Sequence, residues 1–251
     1  MHSIMKISYV YLILLILWFA GDRESAATEV QVINSGRNGQ NSRQFVERFE
    51  KDALSRKPDL IVLGGGTNDA INSRNAVALL EYSANIRTLI ERSHSNGIQL
   101  ILITAIPCVD TYVLQRHPAA FFQGQAPSTR VKDYVNEVLK LGEELKVPVI
   151  NLYQAYEERG QIGELETSWI QNESNSGRKD GVHPTAEGYA VIAEKVYQQI
   201  MKQPNLPKRI VCLGDSITFG AGVRTKESDA SYPAQLLKLF QKEVKTKGNA
   251  D

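Results

Sequence analysis

The chain alternates short apolar segments with longer segments of helical periodicity. The helical segments span about ten residues or more, and their apolar residues recur every three or four positions. The short segments are largely apolar on both faces, which is typical of strands in a parallel sheet covered by helices on both sides. The predicted strands are 29–33, 60–63, 98–104, 147–152 and 210–213, and the predicted helices are 41–56, 74–95, 128–146, 185–201 and 232–247. The sequence therefore predicts an α/β fold of three layers (α/β/α) with a five-stranded parallel sheet.

Length and charge narrow the class of protein. A chain of 251 residues suits a single domain, and its apolar fraction of 42% is ordinary for a globular protein. The formal net charge is only +1, so the composition gives no electrostatic reason to bind nucleic acid. No set of His, Cys, Asp and Glu residues has the spacing of a metal site. We expect neither a nucleic-acid partner nor a metal or other cofactor.

The N-terminal residues have the pattern of a secretory signal peptide. Lys6 precedes the apolar stretch 7–20, which is short for a membrane span, and the small residues 25–27 suit signal-peptidase cleavage. We therefore predict a signal peptide at 1–27, a mature domain at 28–251, and a secreted or periplasmic protein with no stable membrane association. The charged residues 22–24 lie before the cleavage site and leave an uncleaved N-terminal anchor as the alternative.

The two cysteines, Cys108 and Cys212, admit two interpretations. An exported protein can join them in a disulfide. However, Cys212 lies in the predicted strand 210–213, whereas Cys108 follows the predicted strand 98–104. We predict two buried free thiols that act as small apolar side chains.

Polar segments follow the predicted strands or begin the helices. They are Asn34-Ser35-Gly36, Gly66-Thr67-Asn68-Asp69, Asp180-Gly181-Val182-His183 and Gly214-Asp215-Ser216. Right-handed crossovers place the carboxyl ends of parallel strands at one edge of the sheet, where ligands of such folds bind. We expect all four segments to meet there.

Together these segments resemble the motifs of the GDSL/SGNH hydrolases, serine esterases of flavodoxin-like fold. The resemblance implies that Ser216 is the nucleophile, His183 the general base and Asp180 its acidic partner. It also implies an oxyanion hole made by the backbone N–H groups of Ser216 and Gly36 and by the side-chain amide of Asn68.

The order of the motifs differs from that of the family. The serine motif usually comes first, whereas here it follows the other three. The chain therefore looks like a circularly permuted member of the family. In that case strand 210–213 lies between strands 29–33 and 60–63, and the C-terminal helix ends close to the first strand.

Other residues have simpler interpretations. Asp69 and Asp215 are expected to accept hydrogen bonds from backbone groups of their own turns. His94 and His117 lie outside any motif, and we assign them no function. Two long loops could shape specificity: 107–127, with Tyr112, Phe121 and Phe122, and 157–179, with Trp169. Their aromatic residues either contact substrate or pack the loops onto the protein.

The predicted function is that of an exported serine esterase that hydrolyses small acyl esters through an acyl-enzyme. We expect O-acetyl groups on carbohydrate as the substrate class, an expectation that rests on export and on the family resemblance. Two alternatives remain. One is a lysophospholipase or thioesterase for longer acyl chains, and the other is a catalytically silent carbohydrate-binding relative.

Overall fold

A computed structural model describes residues 30–159 and 162–248, with side chains described up to residue 242. The predicted signal peptide at 1–27 lies outside the described residues. The strands form one five-stranded parallel sheet in the order β1-β5-β2-β3-β4. Their bounds are β1 Gln31–Gly36, β2 Leu60–Gly64, β3 Gln99–Ile103, β4 Val149–Ile150 and β5 Arg209–Gly214.

Helices connect the strands and cover both faces of the sheet. Their bounds are α1 Ser42–Asp52, α2 Thr67–Ile71, α3 Leu79–Ser95, α4 Asp110–Arg116, α5 Pro127–Leu145, α6 Leu152–Arg159, α7 Glu173–Ser176, α8 Ala186–Ile200, α9 Ser216–Phe219 and α10 Tyr232–Gly248. Two short 3₁₀ turns lie at Leu54–Arg56 and Ala119–Phe122. The predicted three-layer α/β/α fold is confirmed.

The last strand of the chain lies inside the sheet, at the position that the sequence analysis predicted for it. β5 pairs with β1 on one side and with β2 on the other. The register aligns Gly214 with both Gly36 and Gly64, so these three strands end at the same level. The turns that follow them therefore start side by side at one edge of the sheet. α10 packs against β1, which brings the end of the described chain close to its beginning.

Successive strand residues face opposite sides of the sheet and enter two separate cores. Ile61 and Leu63 of β2 pack beneath α1, α3 and α5, whereas Leu60 and Val62 pack beneath α8 and α10. All four side chains are at most 2% exposed, which explains why β2 is a continuous apolar run. Cys212 lies in the second core and is a free thiol, as predicted.

Cys108 is the other free thiol, and it is buried in the first core, away from Cys212. Burial raises the pKa of both thiols, to about 12 for Cys212 and further for Cys108. Both side chains therefore remain protonated and apolar at neutral pH, as the prediction of free thiols requires.

Several predicted boundaries of helices and strands were wrong, and local hydrogen bonds explain two of them. The helix predicted from 74 begins only at Leu79, because Asn72 and Ala78 are extended and the Val77 N–H donates to the Asp69 carbonyl. The strand predicted to reach 152 stops at Ile150, since the Asn151 side chain accepts from the Gln154 N–H and starts α6.

The two predicted loops also contain helices. The segment 107–127 includes α4, and the segment 157–179 begins inside α6 and contains α7.

Candidate active site

Ser216 lies in a tight turn between β5 and the short helix α9. Asp215 is the N-cap of this helix, and its Oδ1 accepts from the Ile217 N–H at 2.9 Å. Ser216 is therefore the first residue of the helix, and its own N–H has no intrahelical acceptor. The residue is 8% exposed and lines a surface cavity of about 380 Å³.

Ser216, His183 and Asp180 form a continuous hydrogen-bonded chain. His183 Nε2 lies 2.9 Å from Ser216 Oγ, and His183 Nδ1 lies 2.8 Å from Asp180 Oδ2. Asp180 Oδ1 also accepts from the backbone N–H groups of Val182 and His183. The structure thus brings together the three residues that the sequence motifs selected.

The carboxylate determines which imidazole nitrogen carries the proton. Burial raises the pKa of Asp180, but hydrogen bonds and charge attraction from His183 outweigh burial, and the resulting pKa is about 2. The carboxylate is therefore ionised at neutral pH and accepts from Nδ1–H. Nε2 is then left with a lone pair that faces the Ser216 hydroxyl, the geometry that a general base requires.

Gln171 holds the histidine segment against the serine turn. Its backbone N–H donates to the His183 carbonyl at 2.8 Å, and its carbonyl accepts from the Gly181 N–H at 2.8 Å. Its buried side chain donates to the carbonyls of Pro184 and Ala221. Because Ala221 follows α9, Gln171 joins the segment that contains His183 to the segment that contains Ser216. No motif in the sequence pointed to Gln171.

Asn68 lies at the cavity with its amide orientation determined by neighbours. Its Nδ2 donates to the Gln40 carbonyl at 3.0 Å, and its Oδ1 accepts from Asn72 Nδ2 at 3.1 Å. The amide group carries two hydrogens, so one N–H remains for a ligand in the cavity. The structure places Asn68 in the cavity wall with Ser216 and His183.

The prediction that the Gly36 N–H faces the site was wrong. This N–H donates to Asn34 Oδ1 at 2.9 Å, and Gly36 does not line the cavity. Gly36 instead allows β1 to approach the turn that contains Ser216, since a β-carbon there would collide with the backbone of Thr218 and Phe219.

Gly39, three residues further on, occupies the cavity wall that Gly36 was expected to reach. Its φ of +70° is in the left-handed region that favours glycine. Its carbonyl accepts from Asn75 Nδ2 at 2.9 Å. In the part of the chain that the structure describes, its N–H has no hydrogen-bond acceptor. The polar segments identified in the sequence did not include this glycine.

Buried charges support the strand ends beneath the site. Arg48 donates to the carbonyls of Ser35 and Gly214 and forms an ion pair with Asp52 at 3.0 Å. Asp215 caps α9 in its own turn, as predicted, whereas Asp69 accepts from the Ser42 N–H of α1, a more distant segment than the predicted turn. Burial raises the pKa of Asp69 and of Asp215 to about 6.

The aromatic residues of the two long loops pack into the protein. Tyr112, Phe122 and Trp169 are each less than 8% exposed, and Phe121 is partly buried against the first core. None of the four lines the cavity, which favours the packing interpretation. The loop after β3 instead brings Arg116 and His117 to the cavity wall. Sequence analysis had assigned His117 no function, and nothing in the pattern marked either residue.

Within residues 30–159 and 162–248, no helix is long and apolar enough to cross a membrane. The same residues contain no cluster of three or more His, Cys, Asp or Glu side chains arranged to hold a metal ion.

A family model described as the GDSL-like lipase/acylhydrolase family matches residues 18–191. The match includes the segments around Gly36, Asn68 and His183 but ends before Ser216. The lipoprotein YqeF of Bacillus subtilis is 26% identical over 179 residues, which are 66% of this chain and 72% of the relative. An acetylxylan esterase of Geobacillus stearothermophilus is 24% identical over 182 residues, covering 68% and 72% of the two chains.

Solved structures show the same fold. A GDSL-like lipase from Bacteroides thetaiotaomicron superposes with a TM-score of 0.51 and 27% identity, covering 65% of this chain and 72% of that one. The acetylxylan esterase Axe2 from Geobacillus stearothermophilus also has a TM-score of 0.51, with 20% identity over 66% and 69% of the two chains.

Proposed function

The chain belongs to the GDSL-like lipase/acylhydrolase family of ester-hydrolysing enzymes, and we propose that Ser216, His183 and Asp180 are its catalytic triad. The observation that carries this proposal is the hydrogen-bonded chain from Asp180 through His183 to Ser216 Oγ, which is 2.9 Å from Nε2. Ser216 and His183 line the cavity, in which a substrate carbonyl can approach the Ser216 hydroxyl.

Acylation begins when Ser216 Oγ attacks the ester carbonyl carbon and His183 Nε2 takes the hydroxyl proton. The carbonyl oxygen becomes an oxyanion, which the N–H groups of Ser216, Gly39 and Asn68 stabilise. His183 then gives the proton to the alcohol oxygen, the alcohol leaves, and the acyl group stays on Ser216. A water molecule, deprotonated by His183, attacks the acyl-enzyme, and release of the acid returns the proton to Ser216.

Asn68→Ala is expected to lower kcat by about 10²–10³-fold, the usual loss for one oxyanion donor. The loss should appear in kcat more than in KM, because the hydrogen bond strengthens as the oxyanion forms. Steady-state kinetics on an acetyl ester measures both constants. Asn85→Ala is a suitable control, since Asn85 donates to Ser42 Oγ outside the cavity wall. A change confined to KM would assign Asn68 to ground-state binding.

The proposed substrates are small acyl esters, with O-acetyl groups on carbohydrate as the natural class. The cavity wall contains the amide side chains of Asn38, Asn68 and Asn72 and the guanidinium of Arg116, which can form hydrogen bonds with a hydroxylated alcohol portion. One relative is an acetylxylan esterase and another is a lipoprotein, which supports both the carbohydrate class and export from the cytoplasm. A lysophospholipase or thioesterase would need a longer apolar groove.

A panel of aryl esters with acetyl, butyryl and octanoyl groups tests the substrate class. We expect kcat/KM to fall at least about tenfold from acetyl to octanoyl, since even one extra methylene changes specificity by that order. Acetylated xylan should also release acetate. A kcat/KM that rises with chain length would support the lysophospholipase or thioesterase instead. Glycan binding without hydrolysis would identify a catalytically silent relative.

We also propose that the chain is a circular permutation of the family's usual order. Three observations support this: the serine motif comes last, the family match ends at residue 191, and β5 nevertheless lies between β1 and β2. If β5 were the outermost strand of the sheet, this proposal would be contradicted. The permuted order leaves the site chemistry unchanged, because Gly36, Gly64 and Gly214 still end their strands at one level.

A further inference from the structure

Arg116 is a charged residue in the cavity wall that the triad does not use. It ends α4, and its Nη1 donates to the Lys179 carbonyl at 3.1 Å, which holds the guanidinium beside the segment that leads to Asp180. The cavity wall contains no Asp or Glu side chain. Apart from the histidines, Arg116 therefore provides the only charged side chain in this wall.

The guanidinium of Arg116 has no carboxylate partner among residues 30–159 and 162–248, in contrast to many other arginines of the protein. Those that form ion pairs are Arg37, Arg43, Arg48, Arg87, Arg92 and Arg224. A guanidinium offers five N–H donors in a planar fork, and the Lys179 carbonyl engages one nitrogen. The remaining donors are available to a ligand.

His117, the next residue, adds a neutral donor to the same wall. Its Nδ1 accepts from the Ser73 N–H at 3.3 Å and lies 2.9 Å from Ser73 Oγ. A backbone N–H only donates, so Nδ1 carries the lone pair and Nε2 carries the proton. Burial and the charges of Arg116 and Arg74 lower the pKa of His117. The ring is therefore neutral at pH 7, and its Nε2 offers an N–H.

This wall presents donors and positive charge without a compensating anion. A carboxylate is the complementary ligand, because its two oxygens match the guanidinium fork and form charge-assisted hydrogen bonds. The cavity of about 380 Å³ is much larger than an acetyl group, so most of its volume is left for the alcohol portion of the ester.

We propose that Arg116 is a specificity-determining residue that binds a carboxylate on the alcohol portion of the substrate, as in an acetylated glycan that contains uronic acid. This inference rests on the proposed esterase function and narrows its substrate class. Its key prediction is a preference for an acidic substrate over a neutral one of the same shape.

The test uses two probes that differ at one group: the methyl glycoside of mono-O-acetyl glucuronic acid and the same compound with its carboxylate converted to a carboxamide. Acetate release gives kcat/KM for each probe. We expect the wild-type enzyme to prefer the acid, and Arg116→Gln to reduce the acid-to-amide ratio about tenfold, the order of one hydrogen bond to a charged group. Arg116→Lys should retain part of the preference, because it keeps the charge and loses the fork.

Arg56→Gln is the matched control. Arg56 is exposed and lies just before β2, at the amino ends of the strands, whereas the cavity lies at their carboxyl ends. It should leave the ratio at the wild-type value. Equal kcat/KM for the two probes in the wild-type enzyme would overturn the inference, as would a preference that survives Arg116→Gln or falls equally in Arg56→Gln.

These outcomes are separate from failure of the proposed function. Ser216-dependent acetate release from the carboxamide probe would preserve the esterase even if the acid preference were absent. If Ser216→Ala released acetate from both probes at the wild-type rate, the esterase proposal would instead be rejected.

Discussion

Ser216→Ala is expected to lower kcat for acetate release by about 10⁴-fold or more, since removing the serine of a triad removes the covalent pathway altogether. The exchange deletes one oxygen atom at the cavity surface, so we expect the unfolding midpoint to change little. Steady-state hydrolysis of an aryl acetate, together with thermal unfolding of the same preparation, measures both quantities.

The control for this variant is Ser95→Ala. Ser95 ends α3, and its hydroxyl donates to the Glu91 carbonyl on the exposed surface. This variant should keep wild-type kcat. If a folded Ser216→Ala protein kept a tenth of the wild-type activity, Ser216 would not be the nucleophile.

Asp180→Asn is expected to lower kcat by about 10²–10⁴-fold, a smaller loss than that of Ser216 or His183, because Asp180 orients the ring and does not transfer the proton. The asparagine keeps the shape, removes the charge that stabilises the imidazolium, and can turn an N–H toward Nδ1. The ring then loses the acceptor that leaves Nε2 free to accept from Ser216.

The same variant should also change how stability depends on pH. The pKa of Asp180 is about 2 in the folded protein, below its unfolded value of about 4. The folded state therefore binds fewer protons at this site, and the stabilisation is present above about pH 4 and is lost as pH falls toward 2. Asp180→Asn should lack this contribution, so its unfolding free energy should fall less steeply with acid.

Kinetics at pH 7 and denaturant unfolding between pH 3 and 7 measure both effects. Asp133→Asn is the control. Asp133 lies on α5, accepts a hydrogen bond from the Gln125 side chain, and does not line the cavity. An Asp180→Asn enzyme with undiminished kcat at every pH would exclude Asp180 from the triad.

The fold could be predicted because its signals are local and repeated. The strands β2, β3, β4 and β5 are short and largely apolar runs, and each polar motif lies at the end of a strand or near the start of a helix. Parallel topology then brings the strand ends together whatever the order of the motifs in the chain. For this reason the position of β5 between β1 and β2 was predictable from the motif order alone.

The proposed triad could be selected because the segments that contain Asp180, His183 and Ser216 resemble the motifs of the family. The glycine of the proposed oxyanion hole could not, since Gly36 ends β1 and Gly39 lies only three residues further on. Which glycine faces the cavity depends on how the strand end packs against Phe219, a contact across 183 positions of sequence. Sequence periodicity carries no information about such a contact.

Arg116 and His117 were missed for a related reason. They end a seven-residue helix too short to give a clear periodic signal, inside a segment that resembled a loop. Their positions result from contacts with Lys179 and Ser73, which are distant in the chain. The aromatic residues nearby were more conspicuous in the sequence, yet they serve packing.

The most direct test of the account is to identify the residue that reacts with a serine-directed reagent. After complete inactivation by phenylmethylsulfonyl fluoride, intact-protein mass spectrometry should show one sulfonyl adduct, and peptide mapping should locate it on Ser216. Ser216→Ala should remain unlabelled under the same conditions. Inactivation with the adduct on another residue, and Ser216 unmodified, would contradict the proposed nucleophile and the mechanism built on it.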